Sequence, residues 1–297
     1  MEPILQINNL SRKYESFRLN NISLTLEEGF IMGLVGPNGA GKTTLIKLIL
    51  NMIRKDSGSI KIFGEDVLNN ENGIKQKIGF VLDEPGWYEV FRISEMVKII
   101  SPFYTRWNQK LFDDYLARFQ IDSRHKIENL SKGMKMKFSL AVALSHDAQF
   151  IIMDEPTSGL DPIVRAELLE ILQQLIREEN KSILFSSHIS SDIEKISDYI
   201  TFLNEGNIVF SESRESISDR FTLVKGPLEL LDRDILSCFD SVQKKNSHFT
   251  ALCTRTEELK ERFGSFINCG KVLIERATID EIMLHTIKGD VDVYSGL

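Results

Sequence analysis

A glycine-rich stretch near the N-terminus has the residue types and spacing that bind phosphate. It reads Gly-Pro-Asn-Gly-Ala-Gly-Lys-Thr over residues 36–43, follows the apolar run Ile31–Val35 and opens a predicted helix, Thr43–Met52. Glycines let the backbone curl so that successive N–H groups face phosphate oxygens, and the helix N-terminus adds a partial positive charge at the same point. The flanking strand and helix argue against the alternative, a glycine-rich turn without function.

We therefore predict a site for ATP or GTP at this loop. The Lys42 ammonium is expected to reach the β- and γ-phosphates, and the Thr43 hydroxyl is expected to bind Mg²⁺. The predicted nucleotide-binding residues of the loop are Gly36, Asn38, Gly39, Ala40, Gly41, Lys42, Thr43 and Thr44.

Two adjacent carboxylates follow a second apolar run and supply the remaining chemistry. The run is Phe150–Met153, and Asp154 and Glu155 come directly after it. Asp154 suits coordination of Mg²⁺, usually through water, and Glu155 is a candidate general base that polarises the attacking water. Alone, such a pair could be solvated charge at a strand end. After a phosphate-binding loop in the same chain, the metal and the base are the favoured roles.

Short apolar runs alternate with amphipathic helices from Ile4 to about Ser211, as in a layered α/β domain. The predicted strands include Phe30–Val35, Ile78–Leu82, Phe150–Met153 and Ile183–Phe185, and residues 199–210 read as a hairpin. Residues 93–145 are mostly helical in pattern, which predicts a helical insertion at about 84–145. The polar stretch 211–219 is predicted to be a linker.

Beyond this linker the chain alternates strands and helices on a smaller scale, with strands near Phe221–Val224, Phe249–Cys253 and Lys271–Ile274. We therefore predict two domains, an ATPase domain at 1–211 and a C-terminal accessory or dimerisation domain at 212–297. The fold class expected is α/β, and the tail contains no pattern that indicates a catalytic site.

Charge and hydropathy limit the possible partners. The chain has 36 basic and 43 acidic residues, a net charge of −7, which argues against a dedicated nucleic-acid-binding protein. Its most apolar stretch, Leu45–Ile53, is interrupted by Lys47 and Asn51 and is too short to span a bilayer. If the chain acts at a membrane, we expect a partner to supply the membrane-spanning part.

The segment between the two motifs resembles a known family. Leu130-Ser131-Lys132-Gly133-Met134 resembles the LSGGQ signature of ABC-type ATPases, with Lys132 in place of a glycine and Met134 in place of the glutamine. Residues 157–161, Thr-Ser-Gly-Leu-Asp, look like the D-loop of that family. The resemblance implies that Ser131, Gly133 and Asp161 also bind nucleotide.

Two further residues are assigned through the same resemblance. His188 matches the switch histidine that senses the γ-phosphate, which makes it a catalytic residue together with Glu155. Tyr14 lies where the family has an aromatic residue that stacks on adenine; its alternative role is that of an ordinary surface residue. Asp83 takes the place of the family's glutamine and is followed by Glu84. Asp83 is expected to contact the metal with Thr43 and Asp154, or to be merely structural.

The resemblance also implies an architecture and partners. The fold is that of a P-loop ABC ATPase core, a mixed sheet with a RecA-like core and a helical subdomain, followed by a small C-terminal α/β domain. One chain with one phosphate loop and one signature implies a second ATPase subunit, in a homodimer or a heterodimer. The insertion is expected to dock a membrane permease at the cytoplasmic face of the cell membrane, with Trp87 or Tyr88 as candidate contacts.

Softer similarities concern the cargo. The stretches at 78–88, 130–137 and 278–289 resemble bacterial exporter ATPases for antimicrobial or amphipathic peptides, of the bacitracin-export or phenol-soluble-modulin-export type. This predicts an exporter with an ABC-2-type integral membrane permease. The alternatives are a soluble ABC ATPase in translation or repair, an ABC importer ATPase, or an unrelated P-loop enzyme such as a kinase. The identity of the cargo does not follow from the sequence.

Overall fold

The computed structural model describes residues 3–83, 86–179, 181–231, 233–245, 247–255, 259, 262, 264 and 271–288. The chain divides into two compact units, residues 1–211 and 212–297. Within the described ranges, no helix is both long and apolar enough to cross a membrane.

The first unit contains ten strands and seven helices among the described residues. The strands are β1 (Leu5–Lys13), β2 (Arg18–Leu26), β3 (Ile31–Val35), β4 (Ser57–Ile62), β5 (Glu65–Asp66), β6 (Ile78–Val81), β7 (Phe150–Met153), β8 (Ser182–Ser187), β9 (Tyr199–Asn204) and β10 (Asn207–Ser213). The helices are α1 (Lys42–Ile49), α2 (Glu71–Lys75), α3 (Ile93–Ile100), α4 (Gln109–Arg118), α5 (Lys132–Leu144), α6 (Pro162–Glu179) and α7 (Ser190–Ile196).

The main sheet has the strand order β10-β9-β3-β8-β7-β6. Strand β3 pairs in parallel with β8 and β9, and β7 pairs in parallel with β8 and β6. Every residue of β3, β7 and β8 is buried. Helices cover both faces of such a parallel sheet, which explains why these strands are continuous apolar runs rather than alternating ones.

The first unit also contains a second, antiparallel sheet with the strand order β2-β1-β4-β5. Its first two strands pair Leu5 with Leu26 and Ile7 with Leu24. Buried and exposed residues alternate along β2, as expected for a sheet with one face on the core. Buried side chains of both sheets and of α1 pack together in one hydrophobic cluster.

The helical insertion contains α3, α4 and α5, as the sequence pattern predicts. Helix α5 packs closely on the main sheet, since a Cβ at Gly79 would lie 2.8 Å from the Ala143 carbonyl oxygen. Phe112 of α4 and Phe138 of α5 meet edge to face with ring centroids 6.3 Å apart. These contacts fix α5, whose N-terminus carries the signature-like residues.

The second unit is an antiparallel sheet with helices. Its strands are β11 (Thr222–Pro227), β12 (Ser241–Lys245), β13 (His248–Cys253) and β14 (Leu273–Arg276), in the order β12-β13-β11-β14. Its helices include α8 (Arg214–Arg220), α9 (Arg233–Leu236) and α10 (Ile279–Lys288). Buried Val224, Phe249 and Ala251 form its core.

The prediction of a linker at 211–219 is wrong. Strand β10 continues to Ser213 and helix α8 begins at Arg214. The Ser213 side chain caps this helix, since its Oγ accepts a hydrogen bond from the Ser216 N–H at 3.1 Å. Serine and glutamate are favoured at a helix N-terminus as well as in loops, so composition alone did not distinguish the two structures.

Candidate nucleotide site

The order of the strands brings the predicted catalytic residues to one edge of the main sheet. Strands β3, β8 and β7 are neighbours and run parallel, so their carboxyl ends lie side by side. The phosphate-binding loop leaves β3, the pair Asp154 and Glu155 follows β7, and His188 follows β8. Ligands of open parallel sheets bind beyond these strand ends.

The loop at 36–43 is held in a shape that only glycine permits at two positions. A Cβ on Gly36 would lie 2.1 Å from the Leu203 carbonyl oxygen, and Gly41 has φ +109° with the Phe17 ring 2.7 Å from its missing Cβ. The Lys42 ammonium donates to the Gly36 carbonyl oxygen at 2.7 Å. The lysine therefore lies back along its own loop, at the start of α1.

One carboxylate connects the lysine and the histidine. Oε1 of Glu155 lies 3.2 Å from Nζ of Lys42, and Oε2 of Glu155 lies 2.6 Å from Nδ1 of His188. The His188 backbone N–H also donates to Oε2, at 3.1 Å. The Lys42 side chain is only 6% exposed and that of Glu155 13%, so this ion pair is shielded from water. The three residues form one connected charge array.

A serine that the motifs do not include organises the two acids. Ser186 is fully buried in β8; its Oγ donates to Oδ1 of Asp154 at 2.6 Å and accepts from the Glu155 N–H at 2.9 Å. Glu155 has φ +49°, a left-handed conformation that non-glycine residues rarely adopt. The serine therefore fixes the turn that aims both carboxylates. Its position two residues before His188 was the available signal in the sequence.

Lys42, Glu155 and His188 line an open cavity of about 710 Å³. It is lined by Ser16, Phe17, Asn38, Gly39, Gly41, Lys42, Thr43, Thr44, Asp83, Glu155, Ser158 and His188. The volume of the cavity and its position at the N-terminus of α1 fit a nucleoside triphosphate.

The donor set at this cavity also fits Mg²⁺. That ion usually binds one or two carboxylates together with substrate phosphates. Asp154 supplies a carboxylate and the exposed Thr43 a further oxygen ligand, and both lie at the sheet edge that carries the cavity. Across the described ranges, no cluster of three or more His, Cys, Asp or Glu side chains forms a separate metal centre.

Tyr14 and Phe17 occupy different places beside the cavity. Phe17 lines it, whereas the Tyr14 ring is exposed and has the Arg12 guanidinium 5.0 Å from its centroid. The Tyr14 backbone N–H donates to the Phe17 carbonyl oxygen at 2.7 Å, which forms a tight turn. Stacking of Tyr14 on adenine stays a prediction, and Phe17 is an aromatic neighbour of the site that the motif did not single out.

Three other predicted residues lie at helix starts instead of in the cavity lining. Ser131 is the N-cap of α5, since its Oγ accepts from the Met134 N–H at 3.2 Å. A Cβ on Gly133 would lie 3.0 Å from a methyl group of Val164, so the glycine lets α5 approach α6. The Asp161 carboxylate accepts from the backbone N–H groups of residues 163 and 164, both at 3.1 Å.

Asp83 does line the cavity, but its carboxylate has another partner. Oδ1 of Asp83 lies 2.9 Å from Nζ of Lys132, the first residue of α5. Glu84 and Pro85, which follow Asp83, lie outside the described residues. The two positions at which the chain departs most clearly from the family pattern are therefore joined to each other.

Comparisons with known proteins identify one family. The sequence pattern of the family described as ABC transporter matches residues 19–158. The chain is 34% identical over 212 residues to the bacitracin transport ATP-binding protein BcrA of Bacillus licheniformis, covering 70% of this chain and 69% of that protein. It is 32% identical over 212 residues to the lantibiotic transport ATP-binding protein SrtF of Streptococcus pyogenes, covering 70% and 90%.

Solved structures give the same result. The ATP-binding subunit of an ABC transporter superposes with a TM-score of 0.65 at 25% identity, covering 72% of this chain and 91% of that one. A dimeric ATP-binding cassette in a post-hydrolysis state, bound to ADP and phosphate, superposes with a TM-score of 0.63 over 71% of this chain and 98% of that one. At 22% identity, the second likeness concerns the fold alone.

Replacing Ser186 with Ala should weaken both the fold and the site. The change leaves the buried Asp154 Oδ1 and the Glu155 N–H without a protein partner, which costs about 1–3 kcal/mol for an unsatisfied buried polar group. Urea denaturation should show that loss, and titration with Mg²⁺ and nucleotide should show weaker binding. Ser182→Ala is the matched control, because the hydroxyl of this serine, at the other end of the same strand, accepts from the Gly29 N–H at 2.8 Å. Equal nucleotide affinity in the two variants would contradict the role given to Ser186.

Proposed function

The chain belongs to the ABC transporter family as an ATP-binding and ATP-hydrolysing subunit, and on this premise we propose that it drives export of a peptide through a separate membrane permease. The observation that carries the catalytic part is the array of Lys42, Glu155 and His188 at the mouth of one cavity. It joins a phosphate-binding cation, a carboxylate base and a histidine within hydrogen-bond reach.

The array must rearrange when ATP binds. Phosphate oxygens compete with Glu155 for the Lys42 ammonium, and the carboxylate that they displace remains hydrogen-bonded to His188. Glu155 then takes a proton from the attacking water as general base, while His188 keeps its side chain in place. Mg²⁺, held by Thr43 and Asp154, would neutralise charge on the phosphates. Asp83 is a further candidate for the metal's surroundings.

We infer that the complete site needs a second ATPase subunit. Lys42 and Thr43 line the cavity, whereas Ser131 and Gly133 are described at the N-terminus of α5 and do not belong to that lining. An N-terminus such as that of α5 offers backbone donors to phosphate. The proposal is that Ser131, Gly133 and Asp161 serve the nucleotide of a partner subunit, in a homodimer or a heterodimer, so that ATP closes the pair and hydrolysis releases it.

The first unit offers a surface for the permease. A groove of about 610 Å³ is lined by Leu50, Met52, Asn72, Lys75, Gln76, Ile78, Phe80, Phe103 and Tyr104. Met52, Phe80 and Phe103 are exposed, although they are large and apolar. The side-chain amide of Gln76 fixes one wall, because it donates to the Phe103 carbonyl oxygen and accepts from the Thr105 N–H, both at 2.8 Å.

A stack of two rings supports one lining residue of this groove. Tyr104 stacks on buried His146 with ring centroids 3.9 Å apart. Burial raises the pKa of Tyr104 and lowers the pKa of His146, so both rings are favoured in their uncharged forms. An amphipathic helix from a membrane subunit is the partner that fits such a groove.

Trp87 and Tyr88, the two permease contacts that the sequence suggests, differ in exposure. Trp87 turns into the insertion, where its Nε1–H donates to the Ser139 Oγ at 2.8 Å and its ring meets Phe138. Tyr88 is 67% exposed. We therefore assign docking to the groove beside Phe103, with Tyr88 as a peripheral contact, and we assign Trp87 to the packing of the insertion.

A peptide cargo is supported by the names of the relatives, and an ABC-2-type permease is proposed from the resemblance of the sequence to bacterial peptide exporters. BcrA and SrtF are named for transport of bacitracin and of lantibiotics. These names favour export over a role in translation or repair and over import. With no spanning helix among the described residues, the subunit is proposed to reach the cytoplasmic face of the cell membrane through the permease. The C-terminal unit is proposed as an accessory or dimerisation domain.

Replacing Glu155 with Gln should separate binding from turnover. The variant keeps the cavity and removes the charge that holds Lys42, so it should bind ATP at least as tightly as the wild type. Its hydrolysis rate should fall by about 10²–10⁴-fold, the usual contribution of a general base. Phosphate release and equilibrium binding measure the two effects. The exposed acid Glu128, changed to Gln, is the matched control. Full turnover in Glu155→Gln would exclude this residue as the base.

Lys42→Ala and Ser131→Arg should fail at different stages. The Lys42 variant loses the cation that lies at the phosphate loop of its own chain, so the isolated subunit should bind ATP poorly. The Ser131 variant should bind ATP normally as a monomer but should not form an ATP-dependent dimer, because a long cation obstructs the partner's phosphates. Binding titrations and gel filtration with light scattering distinguish these results. Poor monomer binding by both variants would refute a site shared between subunits.

Phe103→Asp should detach the subunit from its permease without affecting nucleotide binding. A carboxylate in the groove would be left without a partner when an apolar helix docks, and burying it is costly. Membrane fractionation and co-purification with the permease measure association. Leu68→Asp is the control, since Leu68 is also exposed and apolar but does not line the groove. If only Tyr88→Asp releases the subunit, the docking surface lies on the insertion beyond the groove.

A further inference from the structure

An ion pair links the edge of the nucleotide cavity to the N-terminus of α5. Asp83 follows β6 and lines the cavity with Lys42, Thr43 and Glu155. Its Oδ1 lies 2.9 Å from Nζ of Lys132. The lysine also passes the loop after β7, because a Cβ on Gly159 would lie 3.4 Å from the same ammonium. The segment after β6 and the loop after β7, which both contribute to the cavity lining, therefore meet at one side chain of α5.

The position of Lys132 at the N-terminus of α5 is unfavourable for a cation, so its pairing with Asp83 offsets a local electrostatic cost. The first turn of α5 has no acidic residue, and its cations lie where the helix dipole is already positive. Both lysines of this turn are matched by acids from outside the helix, Lys132 by Asp83 and Lys135 by Glu89. The segment 83–89 thus supplies the negative charge that the start of α5 lacks.

The two pairs differ in one respect that matters for function. Asp83 lines the nucleotide cavity and Glu89 does not, although both acids and their lysines line a neighbouring pocket of about 510 Å³. An incoming divalent cation would compete with Lys132 for the Asp83 carboxylate, because one carboxylate oxygen cannot serve both cations at full strength. It has no such competition with Lys135.

We propose that Lys132 is a positioning residue that holds Asp83 away from the nucleotide-bound metal until Mg²⁺ and ATP together displace it. Release of the pair then removes one link between the cavity lining and the N-terminus of α5, which carries Ser131 and Gly133. This inference rests on the proposed function. The inference adds that Lys132, a cation of the same chain, competes with the metal for the Asp83 carboxylate.

The test compares nucleotide affinity with and without Mg²⁺. The probe is a fluorescent, non-hydrolysable ATP analogue, titrated against the full chain in Mg²⁺ or in excess chelator, and the quantity compared is the ratio of the two affinities. Lys132→Met removes the competitor and should raise the gain from Mg²⁺ by about two- to fivefold, the range of an exposed ion pair. Lys132→Arg keeps the pair and should restore the wild-type ratio. Lys135→Met is the matched control and should leave the ratio unchanged.

A double variant separates competition from a general loss of positive charge. If Lys132 acts through Asp83, the effect of Lys132→Met should disappear when Asp83 is already Asn. An effect of the same size in both backgrounds would overturn the proposal, as would a Lys132→Met variant with lowered thermal stability and an unchanged ratio. Wild-type chain that binds no nucleotide would instead refute the proposed function. Binding with equal ratios in all variants refutes only the inference about Lys132.

Discussion

The burial of one lysine ammonium is the constraint on which the site depends. An isolated buried charge costs several kcal/mol, so Lys42 requires negative groups around it in every state of the protein. Two carbonyl oxygens of its own loop and the Glu155 carboxylate provide them. The proposed base is thereby held within reach of the phosphate site before any nucleotide arrives, and its second oxygen binds His188. One electrostatic requirement thus positions three residues from three strand ends.

The main sheet meets this requirement because its central strands are neighbours in space but far apart in sequence. β3, β8 and β7 are buried and parallel, and their backbone hydrogen bonds fix the strand ends from which the functional residues follow. The left-handed Glu155 is the strained point of this edge, and the Ser186 hydroxyl stabilises it from the adjacent strand. A rigid sheet is what allows a hydrogen-bond network of this kind to form.

The fold class and the family could be predicted because their signals are local. The loop 36–43 and the acids after β7 are recognisable from contiguous residues, and the comparisons confirm an ABC ATPase fold. The partners of the predicted residues could not be predicted, because they depend on packing. The position of Ser186 two residues before His188 suggests that it lies near the site, but its bonds to Asp154 and to the Glu155 backbone, and the contact of Asp83 with Lys132, depend on packing. The capped helix α8 was missed because serine-rich, charged segments form caps as readily as linkers.

Two ion pairs, Lys42–Glu155 and Lys132–Asp83, each have at least one member in the cavity lining. In the mechanism proposed above, the phosphates would compete with Glu155 for Lys42, and the metal would compete with Lys132 for Asp83. The inner pair is shielded, so its exchange involves large opposing energies and needs an anion that binds the whole loop. The outer pair is 40–45% exposed, so it is weak and screened by salt. A weak pair at the start of α5 can open when a single metal ion binds, whereas a strong one would prevent the loaded cavity from influencing that helix.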